Sequence, residues 1–149
     1  MPPRIEKRPK AAYQPSGNKI PRTASDPNFY SMRPSWRIRM LEFSPPFGWH
    51  EVDSPTLQRI RERLKNFESM TWAEILNEGG RRNHFIPVKD LCKEARDRLQ
   101  AIKQDDVDEI ISLGLTGRER IFGILENSVL RLLWWDPNHS VCPSAKKHT

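Results

Sequence analysis

Three short apolar segments follow one another near the end of the 149-residue chain: Ile110–Leu115, Arg120–Leu125 and Val129–Trp135. The turn-forming pairs Thr116-Gly117 and Glu126-Asn127 separate them. Connections this short leave the chain little choice but to reverse, so the three segments read as consecutive antiparallel strands. A sheet has to bury an apolar face against another layer, and the residues upstream of Ile110 supply that layer.

From Ser35 to Phe43, Trp36, Ile38 and Met40 alternate with Arg37, Arg39 and Glu42. A period of two predicts a half-buried strand over Trp36–Phe43. Pro45, Pro46 and Gly48 then break it. Ser54-Pro55 reads as a capping serine followed by proline at the first helical position, and Leu57, Ile60, Leu64 and Phe67 form an amphipathic stripe behind it. Thr71-Trp72-Ala73-Glu74 fits a capping box, which predicts a short second helix to about Asn77, ended by Gly79-Gly80. Arg81–His84 reads as a polar connection. Pro87 is expected to open a third helix with Val88, Leu91, Cys92, Ala95, Leu99 and Ile102 on its buried side. The expected class is α+β: a small antiparallel sheet of one N-terminal strand plus a C-terminal three-stranded meander, with two to three helices packed on one face.

Charge divides the chain. It carries 25 Lys+Arg and 19 Asp+Glu, a net of +6. Residues 1–34 hold seven of the cations and two of the anions, together with seven of the 13 prolines. Their few apolar groups lack periodicity, so this stretch is read as a disordered basic tail and residues 35–149 as a single domain of net charge +1. A cationic arm of this kind would hold a polyanion in a salt-sensitive manner. The longest apolar runs fall far short of the roughly 20 residues of a bilayer-spanning helix, and no apolar stretch follows the basic start, so a cytoplasmic chain without membrane contact is expected. Cys92 and Cys142 are too few for a four-cysteine zinc site, and reduced thiols are the default.

The candidate chemistry gathers at the end of the meander. Adjacent strand residues point to opposite faces, so only one of Trp134 and Trp135 can share a core with Leu132. The other faces a second layer, a ligand or water, and Trp135 beside basic residues would suit base stacking. His139 follows the turn sequence Asp136-Pro137-Asn138, and a histidine at a strand end has the residue type of a general acid or base. Arg118, Arg120 and Arg131 offer fixed cations for phosphate. Asp136, His139, Cys142 and His148 have zinc-ligand chemistry but lack a second pair of strong ligands, and the acidic run Asp105–Glu109 lacks the spacing of a calcium loop. No phosphate loop, dinucleotide fingerprint, zincin motif or nucleophile elbow is present.

The order of elements, with the step Gly117-Arg118-Glu119-Arg120-Ile121-Phe122 and a last strand leading to His139, resembles the RelE/ParE-type toxins of bacterial toxin–antitoxin modules. That resemblance implies metal-independent cleavage of RNA without a cofactor, acting on RNA or the ribosome, and a cognate antitoxin-like partner. By position it makes Arg120 the phosphate-neutralising residue and His139 the acid or base, with Arg118, Arg131, Trp135, Lys146 and Lys147 as substrate contacts. The chain departs from the family in the helix at Pro87–Ile102, the basic tail, the extension past Cys142 and the near-neutral domain. A reading from another class is a non-enzymatic adaptor or immunity-type module that binds a protein or nucleic acid.

Overall fold

The computed structural model describes residues 27–143; segment 1–26, Lys146 and Lys147 lie outside them. Five strands form one sheet: β1 (Ser35–Arg37), β2 (Asn83–Pro87), β3 (Glu109–Gly114), β4 (Arg120–Glu126) and β5 (Val129–Asp136), in the spatial order β1-β5-β4-β3-β2. Three α-helices accompany it: α1 (Ser54–Phe67), α2 (Trp72–Leu76) and α3 (Lys93–Ala101). The meander β3-β4-β5 is antiparallel throughout, as its turn pairs demand.

The sheet differs from the expected one in two strands. β1 has three residues and runs parallel to β5, so the sheet is mixed. The alternation beyond Arg37 does not continue as strand, because the Leu41 N–H turns back to the Ile38 carbonyl and the Glu42 N–H is taken by the Leu133 carbonyl. β2 is a fifth strand, antiparallel to β3, in the stretch that reads as a polar connection. Five residues with asparagine, histidine and proline among them carry too weak a pattern to stand out, yet Phe85 and Ile86 reach cores on opposite sides of the sheet.

Helices cover both faces rather than one. Ile60 and Phe67 of α1 and Trp72 and Ile75 of α2 share a core with Ile111, Leu113, Ile121 and Trp135. Ala95 and Leu99 of α3 share another with Ile110, Phe122, Ile124 and Trp134. The meander strands are apolar at consecutive positions, so a single helical layer would leave half of them in water. β5 carries a bulge: Phe122 pairs with Trp134 but Gly123 pairs with Leu132, leaving Leu133 extra. Leu133 and Trp134 therefore enter the α3-side core while Trp135 enters the other.

Helix starts follow local chemistry with corrections. The cap of α1 is Asp53, whose carboxylate accepts the Thr56 N–H at 2.9 Å, one residue before the expected Ser54. The Thr71/Glu74 capping box of α2 is present in both directions. α3 is shorter than the Pro87–Ile102 expectation. Pro87 closes β2, Val88–Asp90 form a 3-10 turn, and the Cys92 N–H donates to the Val141 carbonyl at 2.8 Å, so the α-helix begins only at Lys93. Ala95 and Leu99 remain its buried stripe, and Leu91 is buried just ahead of it. Packing against the core also reaches ahead of Ser35: Phe29, read as tail, is 3% exposed in the core, and the Met32 carbonyl accepts the Trp72 N–H at 2.9 Å.

The bulge rests on Gly123. A Cβ there would lie 2.6 Å from the Arg131 carbonyl oxygen and 2.9 Å from Leu130 Cγ, so backbone must move. Gly123→Ala is expected to cost about 1–3 kcal/mol in urea unfolding. Gly79→Ala, where a Cβ meets nothing within 4 Å, should leave stability unchanged or raise it by up to about 1 kcal/mol.

Candidate functional site

Cross-strand register sets polar residues side by side on the α3 face. His84, Ser112, Phe122 and Trp134 form one row across β2 to β5, and Gly114, Arg120 and Asp136 the next. Beyond the apolar cover of α3 this end of the sheet opens into a cleft of about 450 Å³, lined among others by His84, Asp90, Ser112, Arg120, His139 and Cys142. Arg120 and His139, the two residues selected from sequence for phosphate and proton chemistry, thus line the same cleft.

Arg120 is half-buried. One guanidinium nitrogen, Nη1, donates to the carbonyls of Gly117 at 2.7 Å and Glu119 at 2.8 Å, which holds the group against the β3–β4 turn. Burial lowers its pKa, the neighbouring Arg82 charge lowers it further and Asp136 partly opposes both. The guanidinium stays protonated at neutral pH. Two cations in this proximity repel, and an anion placed between them would relieve the repulsion.

His139 sits where the chain turns after β5, in the left-handed region with φ 60°. A non-glycine residue held there costs on the order of 1 kcal/mol, and Asp136 sustains it. The Asp136 carboxylate is 1% exposed. One oxygen accepts the Ser140 N–H at 3.1 Å and the Ser140 hydroxyl at 3.0 Å; the other accepts the Val141 N–H at 2.9 Å. Asp136 is therefore a loop anchor. Among the described residues no group of three or more His, Cys, Asp or Glu is arranged to hold a metal ion, and His148 lies outside them.

β2 brings His84 to the cleft, and Asn83 holds β2. Its buried carboxamide nitrogen donates to the Ile75 carbonyl at 2.9 Å and to Glu78 at 2.7 Å, while its oxygen accepts the Gly114 N–H at 3.0 Å. Arg63 completes the cluster through Glu78 at 2.8 Å and the Gly114 carbonyl at 2.8 Å. Burial pushes the Glu78 pKa up, but the Arg63 and Asn83 hydrogen bonds and the Arg63 and Arg82 charges outweigh it and hold the carboxyl below its ordinary value.

The remaining candidates stand apart from this cleft. Arg118 is exposed on the β3–β4 turn. Arg131 lies towards the other end of β5, ion-paired with Glu126 at 3.1 Å. Trp135 is 3% exposed on the opposite face, 6.3 Å from Trp49 between ring centroids, so it offers no free ring for a base. Trp134 fills the second layer. His84, Ser112 and Asp90 have no signal as site residues in sequence; only the pairing of β2 with β3 brings His84 and Ser112 into line.

No protein-family model, curated protein or solved structure matched this chain. Among the described residues no helix is long and apolar enough to cross a membrane.

A depressed carboxyl contributes stability above its unfolded pKa and loses it as pH falls through the folded value. Glu78→Gln is expected to cost about 1–3 kcal/mol at pH 7, with the gap to the parent narrowing below about pH 4. Urea titrations at both pH values check this; a gap independent of pH would contradict the Arg63–Glu78–Asn83 cluster.

Proposed function

We propose that the cleft binds an RNA phosphodiester and cleaves it by general acid–base catalysis without a metal. The observation that carries this reading is that Arg120, His139 and His84 line one cleft. Two histidines divide the proton work of such a reaction: one takes the proton of the ribose 2′-hydroxyl as its oxygen attacks phosphorus, and the other protonates the leaving 5′-oxygen. Arg120 neutralises the charge that builds on the phosphoryl oxygens, with Arg82 adding to the positive field. Ser112 and Asp90 line the walls. The basic residues 1–26 would supply sequence-independent attraction to a polyanion. The resemblance to RelE/ParE-type toxins supports the same reading through the order of elements and the Gly117–Phe122 step, and with it a cytoplasmic setting, a ribosomal or free RNA substrate and an antitoxin-like partner.

The test is cleavage of single-stranded RNA and of ribosome-bound message by the purified chain, with substitutions that leave the melting temperature in place. Arg120→Ala and His139→Ala are each expected to lower the rate about 10²–10⁴-fold, and His84→Ala at least about 10-fold. Cleavage that survives Arg120→Ala with His139→Ala, or no cleavage of either substrate by the parent, overturns the assignment.

A further inference from the structure

The turn between β3 and β4, residues 115–119, gathers arginines from several parts of the chain. Arg63 of α1 donates through Nε to the Gly114 carbonyl just ahead of it at 2.8 Å. Arg82, which precedes β2, donates to the Leu115 carbonyl, and Arg120 of β4 donates to the carbonyls of Gly117 and Glu119. Arg59 of α1 holds the Glu119 carboxylate at 2.7 and 3.0 Å. Arg118 is exposed on the turn itself.

Only two of these cations are neutralised. Arg59 is paired with Glu119 and Arg63 with Glu78, whereas Arg82, Arg118 and Arg120 have no ion-pair partner among the described residues. The carbonyls that receive Arg82 and Arg120 fix their guanidinium groups in place without cancelling the charge. Asp136 acts on Arg120 electrostatically, but its oxygens are taken up by Ser140 and Val141. Residues 35–149 as a whole carry a net charge of only +1, so this turn concentrates an excess that the rest of the domain lacks. Arg82 and Arg120 also stand close enough for the charge of one to act on the other, which an anion beside them would relieve.

The placement of these cations selects the ligand. Arg120 lines the cleft. Arg82 lines a separate hollow of about 440 Å³ against α1, together with Leu115 and Thr116 of the turn. Glu62, the carboxylate in the wall of that hollow, is shared by Arg61 and Lys65. Positive charge therefore continues from the cleft across the end of the sheet, a distribution that suits a ligand with repeated negative charges more than a single ion. None of the residues lining the hollow is aromatic, so it offers a base no ring to stack on, and contacts to the backbone alone carry no sequence information.

We propose that the β3–β4 turn is a second phosphate subsite, where Arg82 and Arg118 hold the backbone of a single strand as it leaves the cleft. This rests on the reading of the cleft as an RNA site and deepens it: the substrate is a strand that continues several nucleotides past the reacting phosphate and is held there without regard to base.

The probe is a fluorescent single-stranded 2′-deoxy oligonucleotide of about 12 nucleotides, titrated into the full chain by anisotropy over a range of salt concentrations. It lacks the attacking hydroxyl, so it reads binding apart from cleavage. Arg82→Gln with Arg118→Gln is expected to weaken binding about 10-fold at low salt and to lower the slope of log affinity against log salt by about 0.7–1.4, the loss of one to two phosphate contacts. Glutamine keeps an N–H for the Leu115 carbonyl, and Arg118→Gln alone, at an exposed position, should give about half of the effect. Arg37→Gln with Arg39→Gln removes the same charge from exposed positions in and just after β1, at the far edge of the sheet, and should leave affinity and slope at the parent values. Residues 1–26 are present in every variant, so their contribution cancels. Affinity and slope unchanged by the Arg82 and Arg118 substitutions overturn the inference, as does an equal fall in the Arg37 and Arg39 variant, which would mean diffuse attraction without a subsite. A parent that cleaves RNA while these substitutions change nothing refutes the subsite alone; a parent that shows the expected fall but cleaves no RNA supports the subsite and refutes the catalytic reading of the cleft.

Discussion

One extra residue in β5 decides which side of the sheet each later residue faces. Without the bulge at Leu133, strict alternation would place Leu130, Leu132, Trp134 and Asp136 on one face and Arg131, Leu133 and Trp135 on the other. The bulge shifts the register between Phe122 and Gly123, so Trp134 moves to the α3 layer and Trp135 joins Leu132 under α1. Asp136 moves with Trp134, into the same row as Arg120, and from there anchors the loop that carries His139. Two cores, a buried carboxylate and one end of the cleft thus depend on the same kink.

Glu42 locks that kink in place. Its backbone N–H donates to the carbonyl of the bulged Leu133 at 3.1 Å. Its carboxylate, 10% exposed at the side chain, accepts the Trp134 indole N–H at 2.8 Å and a two-nitrogen contact from Arg98 of α3. A carboxylate this sheltered is tolerated because its lone pairs are satisfied by charged and neutral donors together. Through it the loop after β1, the bulge and α3 become one unit. On the other side of the molecule the buried Asn83 does comparable work, tying α2 to β2 and β3. Polar groups buried with full hydrogen bonding at these junctions specify which element sits where, while the apolar clusters provide most of the burial.

The sequence was most legible where periodicity and turn chemistry agree. Val129–Trp135 between Asn127 and Pro137 reads as a strand on its own terms, as does the α2 capping box, and the opposed tryptophans followed from the strand geometry alone. β2 was hidden because its partner lies about 25 residues downstream and its own five residues include only two large apolar groups. The length of α3 was misread because Val141, a residue far along the chain, captures the Cys92 N–H and ends the 3-10 turn before the helix begins. Phe29 was read as tail because a single anchoring ring leaves no period. Of the site, Arg120 and His139 could be chosen from residue type and position at strand ends, where a rigid scaffold presents side chains. His84 could not, because its place beside Ser112 depends on a strand that the pattern does not reveal, and Trp135 was misjudged because Trp49, distant in sequence, covers it.

The two faces of the sheet divide the surface chemistry. The α3 face ends in a cleft lined by two histidines and an arginine, and the α1 face in an apolar groove. The central claim concerns the cleft, and the chemistry of the cut ends tests it most directly. RNA incubated with the chain in EDTA should yield fragments ending in a 2′,3′-cyclic phosphate and beginning with a 5′-hydroxyl, the products of attack by the neighbouring ribose oxygen. Fragments with a 3′-hydroxyl and a 5′-phosphate, or cleavage abolished by EDTA and restored by a divalent cation, would contradict it.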